Sequence, residues 1–307
     1  MQTTPVGPTG PLAEPYRRWG ECLDGVPRGT GKEDSPNSIS RQFQQITFNH
    51  GLYTFLIGEE KLAGKNLSSR SEVSLAESYL IAENFWPQQL LRVRRLADAG
   101  QITGEKGVHS LPALIKDILD NAGLLTRENI MGAKSTTAAV TQFQTRLLTW
   151  GDIVAADFTT AAVTQIRTGM ETEPRGLTAA EIGPFVVEMQ RRVKSATRRI
   201  CAISNKFVAH AATPLSIQSD LPSAQSVDLN GFWECVCTLA KVGRSIERYI
   251  LGSPIPLTAF QTNIGLTFVP ADDESRLNRH LEAQRCEVGS WRAWNIDEIV
   301  PTANPAE

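Results

Sequence analysis

Four histidines and five cysteines in 307 residues leave little material for a metal site, and their spacing leaves less. Cys22, Cys201, Cys235, Cys237 and Cys286 form no CxxC pair and no zinc-like spacing with a histidine, so no metal and no cofactor is expected. An odd number of unpaired spacings also argues against a disulfide scaffold, and a reducing cytoplasm is the expected location. No apolar run approaches the ~20 residues of a membrane span. The N-terminus carries proline and charge where a signal peptide would carry an apolar core. Neither a Gly-rich phosphate loop nor a triad signature is visible, which removes nucleotide hydrolysis and serine-hydrolase chemistry from consideration. Charge of one sign is lacking as well: 31 basic against 33 acidic residues give a net charge of −2. That excludes electrostatic binding of nucleic acid by the whole surface but leaves room for a local basic strip.

What is abundant is helical periodicity. In the stretch 178–213, Ile182, Val186, Met189, Val193, Ala196, Ile200, Ile203 and Phe207 alternate steps of four and three, with His210 the next position on the stripe. Thr178 followed by Glu181 reads as a capping box, and Pro214 ends the run. Helical throughout, it would be roughly 54 Å long at about 1.5 Å per residue. The fold class expected is therefore all-α: a helical bundle around one long central helix, with short irregular N- and C-terminal extensions. Opposite the stripe, Arg191, Arg192, Lys194, Arg198, Arg199 and Lys206 form a basic strip, the ordinary composition of a solvated helix face.

Residues 1–36, with six prolines among glycine and charge, read as a disordered arm that can still pack through Tyr16 and Trp19. A helical domain over 37–252 follows. Its first helix carries Ile39, Phe43, Ile46, His50, Tyr53 and Ile57 and is expected to end near Gly58. His50 has no base partner beside it and reads as a core histidine with a satisfied hydrogen bond. A helical block at 69–98 should be kinked or divided by Pro87, and Ser110 should open a short helix with Pro112 in its first turn and Gly123 at its end. Residues 124–177 read as a possible helical insertion. Asn230 to Leu251 is again helical. The extension 253–307 holds an extended segment, a short polar helix from Ala271 to Ala283, and a small ordered tail.

Two stretches carry a family resemblance. Ser204-Asn205-Lys206-Phe207-Val208-Ala209-His210-Ala211 resembles the Arg-Asn/Asp-Lys-x-x-Ala-His run of the HEPN superfamily of all-helical nucleotide-binding and ribonuclease domains. Leu91 to Asp98, followed by Ser110-Leu111-Pro112-Ala113-Leu114, is similar to the Arg-Leu-x-Asp and Ser-Leu elements of that superfamily's bacterial abortive-infection, phage-defence branch. The resemblance implies that His210 is the proton-transfer residue, with Asn205 and Lys206 beside it at a phosphate. Ser204 stands where the family has its catalytic arginine, and a hydroxyl cannot replace a permanently charged five-donor fork. It further implies a homodimer and RNA, a nucleotide or a partner protein as ligand. Three functions follow as expectations: a binding protein with a degenerate ribonuclease site, an active metal-independent endoribonuclease, or an unrelated helical interaction protein whose His210 is structural.

Overall fold

The structure is a computed structural model that describes residues 10–24, 37–63, 85–104, 107–126, 129, 177, 179–205, 228–251 and 271–300. All regular structure among these residues is helical, as the periodicity requires. In chain order the helices are α1 (Ala13–Asp24), α2 (Ile39–Ala63), α3 (85–96), α4 (Leu111–Asp120), α5 (Ala179–Ile203), α6 (Leu229–Ile246), α7 (Ala271–Ser290) and α8 (Ile296–Ile299). A 3₁₀ turn at Ala122–Leu124 follows α4, and a π-helical segment, Glu247–Leu251, continues α6.

The stripe read on α5 is its buried face. Ile182, Val186, Met189, Val193 and Ile200 are each at most 2% exposed, and Phe185 and Thr197 join them. Helix α5 lies against α4, α6 and α8, so this face is an intramolecular core over its described length. Pro184 sits exposed within the helix as its sixth residue, beyond the four amides that lack intrahelical partners, so it removes the backbone bond to the Ala180 carbonyl. Helix α5 is not singled out by length, because α2 has the same 25 residues. The capping pair Thr178–Glu181 and the run from Lys206 to Thr213 lie outside the described residues, at Thr178 and at 206–213 respectively.

The N-terminal arm expected to be disordered holds a helix, and the polar helix expected in the C-terminal extension is longer than expected. Leu12, Tyr16, Trp19 and Leu23 follow helical steps and are at most 4% exposed, so α1 is part of the core. Its prolines do not prevent this: Pro11 precedes the helix, inside a turn where the Ala13 amide donates to the Gly10 carbonyl, and Pro15 falls in the first turn. Helix α1 packs on α2, α4 and the π segment. Trp19 donates its indole N–H to Asp117 of α4 at 2.7 Å, Arg18 pairs with the same carboxylate at 2.8 Å, and the Tyr16 hydroxyl donates to the Leu251 carbonyl. At the other end, α7 runs to Ser290 rather than Ala283 and lies along α2. The tail after it is ordered, with Ile296 and Ile299 buried near α5.

Other boundaries moved by one to a few residues. Helix α2 continues through Gly58 to Ala63, since a glycine costs an exposed helix about 1 kcal/mol without ending it. Pro87 lies in the described part of α3, while residues 64–84, the rest of the block it was expected to kink or divide, lie outside the described residues, as does nearly all of 124–177. Ser110 caps α4 as expected, accepting from the Ala113 amide at 3.2 Å, with Pro112 in the first turn. The helix closes at Asn121 instead of Gly123, because the Asn121 side chain donates back to the Asp117 carbonyl at 2.7 Å. Helix α6 begins at a cap the sequence reading passed over, Asp228, whose carboxylate accepts from the Gly231 amide at 2.7 Å.

Candidate functional site

Two of the residues expected at the site, Ser204 and Asn205, lie at the C-terminal end of α5, where the α-helix passes into a π register. Asn205 is exposed. Ser204, the residue standing at the position of the family's arginine, is fully buried, and its hydroxyl has no hydrogen-bond partner among the described residues. Lys206 and His210 lie outside the described residues. Of the four expected site residues, the structure therefore places one at the surface and one in the interior.

The second stretch converges on the same end of α5. Val93 and Leu96 of α3 are buried in one cluster with Val193 and Ile200. The Ser110 hydroxyl donates to the Asp98 carbonyl at 2.6 Å, tying the end of α3 to the start of α4, which packs on α5. Arg94 and Asp98 flank Cys201. Burial pushes that thiol above its ordinary range, a hydrogen bond with Thr197 and the Arg94 charge work against the rise, and Asp98 adds to it. Cys201 is thus a protonated thiol and no nucleophile. Arg92 is half-buried and donates to Gln45 of α2, and burial with the neighbouring Arg95 lowers its pKa.

The basic strip divides in two. Glu188 takes up both Arg191 at 2.6 Å and Arg192 at 2.8 Å, and these guanidiniums, Arg191 first, hold its carboxyl down at about 2. Arg192 also covers the Trp294 ring at 4.1 Å and donates to the Glu298 carbonyl. This half of the strip is structural, fastening the C-terminal tail to α5. Lys194 and Arg198, further along, are exposed.

His50 has the satisfied structural role expected of it. It is 8% exposed, stacked on Trp233 with ring centres 3.8 Å apart, and faces the Gln284 amide nitrogen 3.2 Å from Nδ1. That same amide donates to the Thr47 carbonyl at 2.6 Å, which fixes it as a donor and makes His50 Nδ1 the acceptor. Burial first, and then His280, push the imidazole down to about 4, so it is neutral near pH 7. His280, which nothing in the sequence singled out, meets the Thr54 hydroxyl at 2.9 Å, but that hydroxyl is already held by the His50 and Gly51 carbonyls of α2. Nothing there activates a nucleophile.

No protein-family model, curated protein or solved structure matches the chain. Among the described residues there is no cluster of histidine, cysteine, aspartate and glutamate fit to hold a metal, and no helix long and apolar enough to cross a membrane. The functional reading rests on the end of α5 and what α3 and α4 bring to it.

Proposed function

We propose that this chain is a HEPN-like helical protein of a bacterial phage-defence or toxin–antitoxin type, acting in the cytoplasm, that binds RNA, a nucleotide or a protein partner through a degenerate ribonuclease site. The observation that carries the degenerate reading is the burial of Ser204. A ribonuclease of the resembled kind needs a guanidinium at the scissile phosphate, where charge develops in the transition state. Here that position holds a buried hydroxyl, which leaves Lys206 as the charged residue next to Asn205 in the sequence. The convergence of 91–98 and 110–114 on the end of α5 supports the resemblance as one constellation rather than two coincidental matches. The homodimer that belongs to this proposal cannot use the described part of the α5 stripe, which is consumed by α4, α6 and α8.

The test is incubation of a mixed-sequence RNA in chelator with purified wild type and His210→Ala, with melting curves and light scattering on the same samples. Wild type and variant are expected to leave the RNA intact alike, to melt together, and to have twice the chain mass. Robust metal-free cleavage by the wild type, lost in His210→Ala, would establish the active endoribonuclease instead. A marked fall in melting temperature in His210→Ala would make that histidine structural and remove the resemblance's main support.

A further inference from the structure

Acidic residues are unevenly placed in this chain. From 189 to 219 there is none, although the run holds Arg191, Arg192, Lys194, Arg198, Arg199 and Lys206, and from 84 to 97 there is none beside Arg92, Arg94 and Arg95. These two acid-free runs lie about a hundred residues apart, and both contribute to one core, with Val93 and Leu96 from α3 and Val193 and Ile200 from α5. Glu188, just before the first run, neutralises only its two nearest arginines.

Beyond that point Lys194, Arg198 and Arg199 are exposed. Lys194, Arg198, Cys201 and Asn205 follow steps of four, three and four, which places them on one face of the helix end. Arg94, half-buried on α3, is near enough to Cys201 for its charge to act on that thiol. None of Arg94, Lys194 and Arg198 has an ion-pair partner among the described residues, and the Asp98 carboxylate acts on Cys201 beside them. The exposed face of α7 carries both signs, as its Arg285–Glu282 pair shows. This one does not.

We propose that the ridge of Lys194, Arg198 and Arg94 is the nucleic-acid contact of this protein, and that it holds the phosphate backbone of RNA along the end of α5 toward Asn205. The proposal rests on the RNA-binding form of the function given above and narrows its three ligand classes to one. Guanidinium forks presented from rigid helices suit phosphate oxygens, and contacts of this kind are independent of base sequence. An anionic lipid surface would call for apolar side chains beside the cations to enter the acyl boundary. The large exposed apolar residues among those described are Leu119 and Val187, and Val187 lies two turns before Lys194.

The test is fluorescence anisotropy of a labelled single-stranded RNA, titrated at low and at physiological salt with wild type, the triple variant Arg94→Gln/Lys194→Gln/Arg198→Gln, and Arg285→Gln as a control outside the ridge. The triple variant is expected to bind at least about tenfold more weakly, with its log–log salt slope reduced by roughly 2 to 3, while Arg285→Gln matches wild type. If the triple variant melts early, the exposed single variants Lys194→Gln and Arg198→Gln carry the test, each lowering the salt slope by about 1. Wild-type binding with the same affinity and slope in the ridge variants would overturn the ridge and leave the RNA-binding reading standing. No RNA binding by wild type would overturn both. Binding to phosphatidylserine vesicles in preference to RNA would replace the partner and overturn the proposal as well.

Discussion

Helices α1 and α7 come from opposite ends of the chain and are both laid on the bundle, yet they are held by different physics. Helix α1 is fixed by shape and apolar area: Leu12, Tyr16, Trp19 and Leu23 are buried, and the main polar anchor is Asp117 receiving Trp19 and Arg18. Helix α7 meets α2 through a small apolar patch of Phe55, Leu277 and Leu281, and beside it through a polar set in which Gln284, His50, His280 and Thr54 each have assigned partners. An apolar joint loses stability in proportion to the volume removed. A polar joint depends instead on protonation and on fit at single atoms, because an unpaired buried group costs its full desolvation.

The largest effect should come from breaking the first joint. Trp19→Ala removes a fully buried indole and one donor from Asp117. It is expected to cost about 3–5 kcal/mol, read as a shift in the urea midpoint. A loss under about 1 kcal/mol would mean that α1 is an ornament on the bundle, as its prolines suggest at first reading.

The second joint should show itself through pH. Folding holds His50 at about 4, below its ordinary 6.5, so it favours the neutral form; the stability it contributes is complete above pH 6.5 and is lost as pH falls toward 4. The loss should approach about 3 kcal/mol at full protonation. Urea midpoints taken at intervals over that range should fall in wild type and fall less in His50→Phe, which keeps the stack on Trp233 without titrating. Glu188 is separable from this, because its depressed pKa matters only below about 4.5. Parallel slopes in wild type and variant would sink the assignment.

A smaller loss should follow from Gly51→Ala. The added methyl would lie 2.1 Å from Oε1 of Gln284 and 2.7 Å from a Leu281 methyl, so the amide must swing away from Thr47 and His50. The expected cost is about 1–3 kcal/mol, accompanied by a rise in the His50 pKa measured by NMR titration. Unchanged stability with an unchanged titration would show that α7 does not approach α2 this closely.

Much of this architecture was legible in one dimension. The α5 stripe, the Ser110 cap and the helix after Asp228 are local signals, because periodicity and capping act within a few residues. The structural role of His50 was also readable, though only as a probability. Helix α1 was misjudged because prolines were weighed as breakers without regard to their position in the first turn, although the steps from Leu12 to Leu23 were there to see. At the candidate site, the resemblance picked out Ser204 and the arginine-rich run at 92–95 but could not say which way either faces.

What the sequence by itself determined was the helical class, the apolar faces and the absence of acid from two basic runs, all properties of neighbours along the chain. Only the tertiary structure decided that Ser204 is buried, that Arg192 covers the Trp294 ring, and that the Arg94 charge acts on the Cys201 thiol of another helix. Those depend on which surfaces pack together, and burial and charge pairing act through space over a few ångströms whatever the separation along the chain.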